Sequence, residues 1–314
     1  MSIDPSSLLA VLERAQKADK LGRLVKEALV LIETVLSQLG EEAVAMSFNG
    51  GKDCTVLLHI YAAVLYARNT QESCSSELLP KPDSSIVIPS PPDQIHIAST
   101  QLDKPAVVPP PIPSTSASDS TSTSSPDSNS NSNSTMDISG HATHHQPSSS
   151  SVESLPYPPI RSIYITAPNP FPELDQFVID CTTTYGMDLY RFGGGMKSAL
   201  EEWLNKGGKG SKSVLVGTRK GDPNDNVEIL AMTDPSWPQF LRVHPILHWT
   251  YSDVWDFLLE LKVPYCSLYD EGYTSLGSTT NTSPNPLLKN PNSAKGWDPA
   301  HKLKDASQER AGRH

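Results

Sequence analysis

The stretch "SFNGGKD", Ser47 to Asp53, lies between an apolar run and a helical pattern. Two glycines and a lysine in that setting suggest a phosphate cradle, yet the stretch ends on a carboxylate, which phosphate repels. It is not the common GxxxxGK[ST] loop: Met46 stands where the first glycine is needed, and Asp53 where Ser or Thr would hold Mg²⁺. The spacing also fails the dinucleotide pattern GxGxxG. What remains is a strand ending at Phe48, a turn at Gly50–Gly51 and a helix starting near Asp53. The free N–H groups of a first helical turn make an anion site. An aspartate is favourable at a helix N-terminus on its own account, so a Gly-rich turn with a capping Asp is the competing reading. Beside a polyphosphate the carboxylate needs a bridging divalent cation, which would make Asp53 a Mg²⁺ ligand, directly or through water.

Three later stretches carry comparable groups. In "GTRKGDP", Gly217 to Pro223, Arg219 could clamp phosphate oxygens in bidentate fashion, and Asp222 could hold a metal or a ribose hydroxyl. An Arg–Asp pair closing a turn is the plainer alternative. In "TDPSWPQFLR", Thr233 to Arg242, Trp237 sits between prolines, where an aromatic serves as a stacking surface, and Arg242 offers a planar cation to a ring or a phosphate. The bland alternative is a buried loop aromatic. "QERAGR", Gln308 to Arg313, places two arginines in a terminal tail, where such charges are ordinarily solvated. Trp249, Trp255 and Phe257 read as core residues, and His244 and His248 as hydrogen-bonded structural histidines with no partnered nucleophile.

The elements that must position these groups alternate strand and helix. Residues 6–39 have helical periodicity and end at Gly40, predicting one or two amphipathic helices. "EAVAMSF" reads as a buried strand and Asp53 to Ala67 as a helix. Then come "RSIYIT" (strand), "FPELDQFVIDCTTTYG" (helix), "DLYRF" (strand), "MKSALEEWLNKG" (helix) and "SVLVGTR" (strand). A Pro-rich segment follows, and then the helix "TYSDVWDFLLELK", capped by Thr250. The implied fold class is α/β: a single domain with a mostly parallel twisted sheet and helices on both faces. Ligands in such sheets bind at strand carboxyl ends, so the loops after Phe48, Thr166, Phe192 and Arg219 are where they are expected.

One stretch breaks the pattern. Residues 74–159 are rich in Ser, Pro, Thr and Asn and read as a disordered insertion, separating residues 1–73 from the remainder of the domain, 160–314. Within it "HATHH", with His141, His144 and His145, reads as solvated histidines. The formal net charge of −10 argues against a general nucleic-acid partner. The N-terminus lacks the layout of a secretory or transit signal, and no apolar run reaches the roughly 18 residues needed to span a bilayer. Cys54, Cys74, Cys181 and Cys266 include no CxxC pair, consistent with reduced thiols rather than structural zinc. These features predict a cytoplasmic protein that acts on small molecules, away from membranes and nucleic acid; a monomer is expected, although the sequence itself does not fix the oligomeric state.

On these motifs the chain resembles the N-type ATP pyrophosphatases, whose SGGxDS-type loop "SFNGGKD" is similar to. Within that group it resembles the phosphoadenylylsulfate-reductase-like branch, and above all the eukaryotic FAD synthases (FMN adenylyltransferases). "GTRKGDP" is similar to their GxRxxDP-like element. Asp234, Trp237, Pro238, Phe240 and Arg242 match their flavin-binding DxxWPxFxR pattern, and Glu309, Arg310 and Arg313 their ER-x-x-R ending. His301 departs from the family, which often has an aromatic such as Tyr there. The reductases of the branch need a cysteine in a C-terminal tail, and none follows Cys266. The resemblance covers about residues 30–73 and 159–313, and suggests a free-standing module of the fungal type, without the molybdopterin-binding-like domain that precedes it in other members.

The resemblance implies transfer of the AMP moiety of ATP to FMN, with release of pyrophosphate. It assigns Asn49, Asp53, Asp222 and Arg310 to catalysis, and Phe48, Gly50, Gly51, Lys52, Gly217 and Arg219 to ATP. Asp234, Trp237, Pro238, Arg242 and Arg313 would meet the flavin, and Asp53 and Asp222 would hold Mg²⁺. Two alternatives stay open: an enzyme of the same fold that adenylates another acceptor, and a flavin-binding protein without activity.

Overall fold

The run Val-Ala-Met-Ser can serve as a central strand because both of its faces are apolar. In the computed structural model it is β1 (Val44–Ser47), with Val44 and Met46 buried on one face and Ala45 on the other. The structure describes residues 2–70, 73–89, 143–145, 155–223 and 227–314, with backbone alone for 73–75. Helices α1 (Pro5–Arg14) and α2 (Lys20–Leu39) precede β1, and α3 (Lys52–Asn69) and α4 (Ser73–Leu78) follow it. Next come β2 (Thr143–His145), β3 (Ile160–Ile165), α5 (Pro172–Thr184), β4 (Met187–Phe192) and α6 (Met196–Asn205). The chain continues through β5 (Ser213–Leu215), β6 (Leu230–Met232), β7 (Leu241–Val243) and α7 (Tyr251–Glu260).

Among the described residues these strands form one seven-stranded sheet of order β2-β4-β3-β1-β5-β7-β6. The five inner strands run parallel, with Met46 opposite Ser162 and Val44 opposite Ser213, while β2 and β6 pair antiparallel at the two edges. A mostly parallel sheet with helices on both faces is the architecture expected from the sequence. The larger core holds residues of α1, α2, α3, α5 and α7; the smaller packs α6 through Ala199, Leu200, Trp203 and Leu204 against Ala45, Ile163, Phe192 and Val214. Helix α3 lies inside the larger core and is apolar nearly all round, as a helix enclosed on every side must be. Thr250 caps α7 as expected, in a reciprocal capping box with Asp253.

The sequence reading is corrected in three places. The expected insertion 74–159 is part of the fold at its first end: Asp83 N donates to Thr34 Oγ1 (2.8 Å), Gln38 Nε2 donates to the Ile86 carbonyl (2.7 Å), and Ile88 is buried. A few apolar side chains in a polar stretch suffice to dock it on α2, which average composition conceals. His144 and His145 lie in the edge strand β2 rather than in a flexible tract, with His144 still exposed as expected and His145 half-buried. His144 Nε2 lies 2.5 Å from Asp188 Oδ1, and its ring stacks on Tyr190 at 4.1 Å. His141 and the rest of the low-complexity tract lie outside the described residues. Finally, the strand read as "SVLVGTR" stops at Leu215, and the Pro-rich segment contains the hairpin β6–β7. Among the described residues no helix is long and apolar enough to cross a membrane.

Candidate active site

The loop from β1 to α3 turns at Gly50, whose φ of +72° a side chain rarely adopts; a Cβ there would also meet Leu174 and Val178 at 2.8 Å. Asn49 is exposed, and its Oδ1 accepts from Gly51 N at 3.0 Å. Phe48, expected among the ATP-binding residues, is fully buried in the larger core and anchors the loop from beneath. The loop opens on a cleft of about 320 Å³ at the carboxyl edge of the sheet, lined also by Asp53, Gly217, Asp222, Ser275 and Arg310. The loops after β1, β3 and β5 thus converge as the sequence anticipated, and the C-terminal tail closes the site.

A five-residue charge cluster joins loop and tail. Lys52 Nζ donates to Asp53 Oδ2 (3.1 Å) and to Glu309 Oε1, and lies 5.2 Å from the Tyr251 ring centroid. Arg219 Nη2 meets both Glu309 oxygens at 2.8 and 2.7 Å, and Arg219 Nε stands 2.6 Å from Asp53 Oδ1. The Arg219 backbone N–H donates to Asp222 Oδ2 at 2.8 Å, so the Arg–Asp turn closure foreseen as the plainer reading is real. The Lys52 and Arg219 side chains are only 2% and 4% exposed, against 15% for Glu309 and 20% for Asp53. Burial by itself would lower the Arg219 pKa, but Asp53, Glu309 and Asp222 outweigh it and hold it above its usual value. Burial pushes the Asp222 carboxyl up, and Asp53 and Glu309 add to the rise against the pull of Arg219. Burial raises the neighbouring Cys54 thiol to about 12, with Asp53 adding, so it stays protonated.

Beside these ion pairs, the tail is held through its backbone carbonyls. Thr274 Oγ1 donates to the Glu309 carbonyl (2.6 Å), and the fully buried Asn285 donates through Nδ2 to the Gln308 carbonyl (2.8 Å). Arg313 folds back and donates through Nη1 to the Leu276 carbonyl at 2.6 Å. It lies so close over Gly277 that a Cβ there would stand 2.2 Å from Nη2. Burial, and then the charge of Arg310, lower the Arg313 pKa. Among the described residues neither Arg310 nor Arg313 has a carboxylate partner; Arg310 reaches only Ser275 Oγ, at 3.5 Å. His301 makes an aromatic contact, edge-on to Trp255 at 6.0 Å.

Asp234, Trp237, Pro238 and Arg242 do not line the cleft. Their turn joins β6 to β7 at the amino edge of β7, one short strand, roughly 10 Å, from the carboxyl edge where phosphate residues gather. Thr233 and Gln239 fix the turn, Thr233 Oγ1 donating to the Pro238 carbonyl (2.8 Å) and Gln239 Nε2 to the Trp237 carbonyl (2.7 Å). Arg242 pairs with Val214 and so faces the α6 side of the sheet, its Nε buried without a hydrogen-bond partner. Trp237 is half-buried against the α6 cluster, as are Ile165 and Val216, and both of those also line the cleft. One apolar surface therefore runs from the cleft towards the hairpin. Glu309, Tyr269 and Asn285 were absent from the expected site. Glu309 lies inside the quoted tail motif, whereas Tyr269, which accepts from Lys52 N at 2.9 Å, has no local signal.

The oxygen donors of the cleft fit a magnesium ion. Among the described residues no group of three or more His, Cys, Asp or Glu stands close enough to hold a metal by itself. Mg²⁺ typically takes one or two carboxylates and fills its octahedron with water and substrate phosphates. Asp53 Oδ1 is buried without an aligned hydrogen bond despite the nearby Arg219 Nε, leaving coordinating capacity on that oxygen.

The fold and the cleft define an α/β protein with a candidate anion site at the carboxyl edge of its sheet, and comparison with known proteins narrows this. Residues 152–284 match the phosphoadenosine phosphosulfate reductase domain. The chain is 40% identical over 172 residues to a probable FAD synthase of Schizosaccharomyces pombe, covering 54% of this chain and 62% of that one. It is 33% identical over 171 residues to the FAD synthase of Saccharomyces cerevisiae, covering 51% of this chain and 56% of that one. The chain thus spans less than two thirds of the curated relatives it matches. The fold is that of Candida glabrata FMN adenylyltransferase, solved in complex with FMN and the ATP analogue AMPCPP: TM-score 0.62 at 20% identity, over 99% of this chain and 96% of that one. The resemblance to the eukaryotic FAD synthases is borne out.

Proposed function

We propose that this chain makes FAD by transferring the adenylyl group of ATP to FMN, with release of pyrophosphate. The observation that carries the reading is the junction of the Asn49–Asp53 loop, the Arg219–Asp222 turn and the Arg310–Arg313 tail around one cleft. An apolar surface leads from it towards Trp237. FMN is elongated, its phosphate separated from its ring system by a ribityl chain. Such an acceptor can place its phosphate in the cleft and its rings against Trp237, with Asp234 and Arg242 meeting polar edges of the rings. The FMN of the Candida glabrata complex supports the same acceptor class.

An FMN phosphate oxygen attacks the α-phosphorus, the bond to the bridging α–β oxygen breaks, and pyrophosphate departs. The attacking phosphate is already anionic at neutral pH, so no general base is required, and catalysis rests on positioning and charge stabilisation. The first turn of α3, entered through Gly50 and Gly51, directs N–H groups at ATP phosphates, and Asn49 shapes that loop. Arg310 and Arg313, which lack carboxylate partners, offset the charge of two phosphates brought together. Asp53 and Asp222 would hold Mg²⁺, which when bound neutralises phosphate charge beside them. On this reading the protein acts as a cytoplasmic monomer on small molecules.

The test is purified chain with FMN, ATP and MgCl₂, followed by chromatography. FAD and pyrophosphate in equal amounts are expected. Tight flavin binding without FAD formation would favour the inactive binder, and turnover with sulfate or tRNA in place of FMN would favour the other adenylating enzyme.

A further inference from the structure

Lys52 and Arg219 read from sequence as phosphate ligands, yet the structure has already committed both. Lys52 Nζ is enclosed by Asp53, Glu309 and the rings of Tyr251 and Tyr269. Arg219 spends Nη2 on both Glu309 oxygens and turns Nε to Asp53. Its side chain is absent from the lining of the phosphate cleft, lying instead beside a second cavity of about 480 Å³. Glu309 and Arg310 line both cavities and so form the wall between them. Two buried cations are thus balanced by three carboxylates (Asp53, Asp222, Glu309), of which only Glu309 comes from the tail.

We infer that Glu309 is a positioning residue: its carboxylate occupies the place an anionic ligand would otherwise take on Lys52 and Arg219, and so fixes the adjacent Arg310 at the cleft. Lys52 and Arg219 then hold the tail, and the phosphates are left to Arg310, which lines the cleft, and the α3 N-terminus. The inference rests on the adenylyl-transfer reading for its effect on turnover, but its effect on anion binding stands apart from it. Glu309 is gripped by two cations at once, Arg219 Nη2 across both of its oxygens and Lys52 on one, which fixes the side chain beside Arg310. The backbone of Glu309 is independently held by Thr274, so neutralising the side chain need not release the tail.

The test uses the full chain as Glu309→Gln, with kcat and the KM for ATP and FMN measured separately, and inorganic pyrophosphate binding measured by calorimetry. Removing the negative charge frees two cations, so pyrophosphate should bind about tenfold more tightly while kcat falls about 100-fold. A Lys52→Met/Glu309→Gln double variant removes charge from both partners and guards against a folding artefact. It should keep the wild-type thermal midpoint, lose much of the extra pyrophosphate affinity and still turn over slowly. Unchanged kcat, weakened pyrophosphate binding, or unfolding of both variants would each overturn the inference. Failure of the wild-type chain to make FAD would sink the adenylyl-transfer reading instead, and the pyrophosphate titration would still decide the role of Glu309.

Discussion

The proposed phosphate end of the molecule and the β6–β7 hairpin treat their buried cations differently. Around the α3 N-terminus Lys52 and Arg219 are paired inside the protein, and the tail carrying Arg310 is buttoned down by Asn285 and Thr274. At the hairpin Asp234 has no side-chain partner among the described residues, and Arg242 makes one bond, to the Met232 carbonyl at 3.2 Å, leaving Nε orphaned. The contrast follows from what each end would meet. A polyphosphate brings charges that move during reaction, so its site must be rigid and self-compensated beforehand. A planar ring system brings fixed donors and acceptors, and can itself satisfy groups left open in the free protein.

The sharpest way to break this comparison is Asp53→Ala. Loss of a metal-holding carboxylate at the phosphate end should cut turnover by about 10³-fold or more. Flavin binding, followed by quenching of FMN fluorescence, should remain near that of the wild type. Turnover within a few-fold of wild type would remove Asp53 from its role. Loss of flavin binding in step with turnover would show that the two ends are not separable.

Trp237→Ala probes the other end with a smaller expected effect. Loss of a stacking surface is worth about 1–3 kcal/mol, which corresponds to a rise of about 5- to 160-fold in the KM for FMN. The KM for ATP should stay within about twofold of wild type, since Trp237 does not line the phosphate cleft. Equal rises in both KM values would mean that the hairpin supports the whole site rather than seating one substrate.

The two ends also differ in how legible they are in sequence. The parallel core could be read because β1, β3 and β4 carry enough apolar residues to show a pattern, and their loops then had to meet at one edge. Strands β2, β6 and β7 are three residues each, too short to show any periodicity, and β7 was hidden beside prolines. The resemblance supplied Trp237 and Arg242 as flavin residues, but only topology reveals that the turn of Trp237 sits at the sheet edge opposite the loop after β1, with β5 between β1 and β7. Glu309 was legible as a motif letter and illegible as a partner. It joins residues 257 and 90 positions away, and no local rule pairs charges across such distances. The committed state of Lys52 and Arg219 was invisible for the same reason.

The smallest effect concerns neither end, and it decides whether a fall in activity at low pH belongs to the site or to the fold. His59 is fully buried in α3; Nδ1 meets Tyr185 Oη at 2.9 Å and Nε2 meets Ser7 Oγ at 3.3 Å. Burial lowers its pKa from 6.5 to about 4, with the environment of Ser7 opposing weakly. The folded state therefore binds the proton less readily than the unfolded chain. The stability due to neutral His59 is complete above about pH 6.5 and is lost progressively as pH falls towards 4. Between pH 7 and pH 5 the loss should be about 2 kcal/mol, read as a lower urea midpoint. In His59→Gln, which cannot take up the proton, the midpoint should fall less over the same interval. If wild type and variant lose stability equally, His59 is not the sensitive group. If turnover of the variant at pH 5 still falls as in wild type, the acid limb belongs to the site rather than the fold, and burial, which raises the Asp222 carboxyl, makes it the group to replace next.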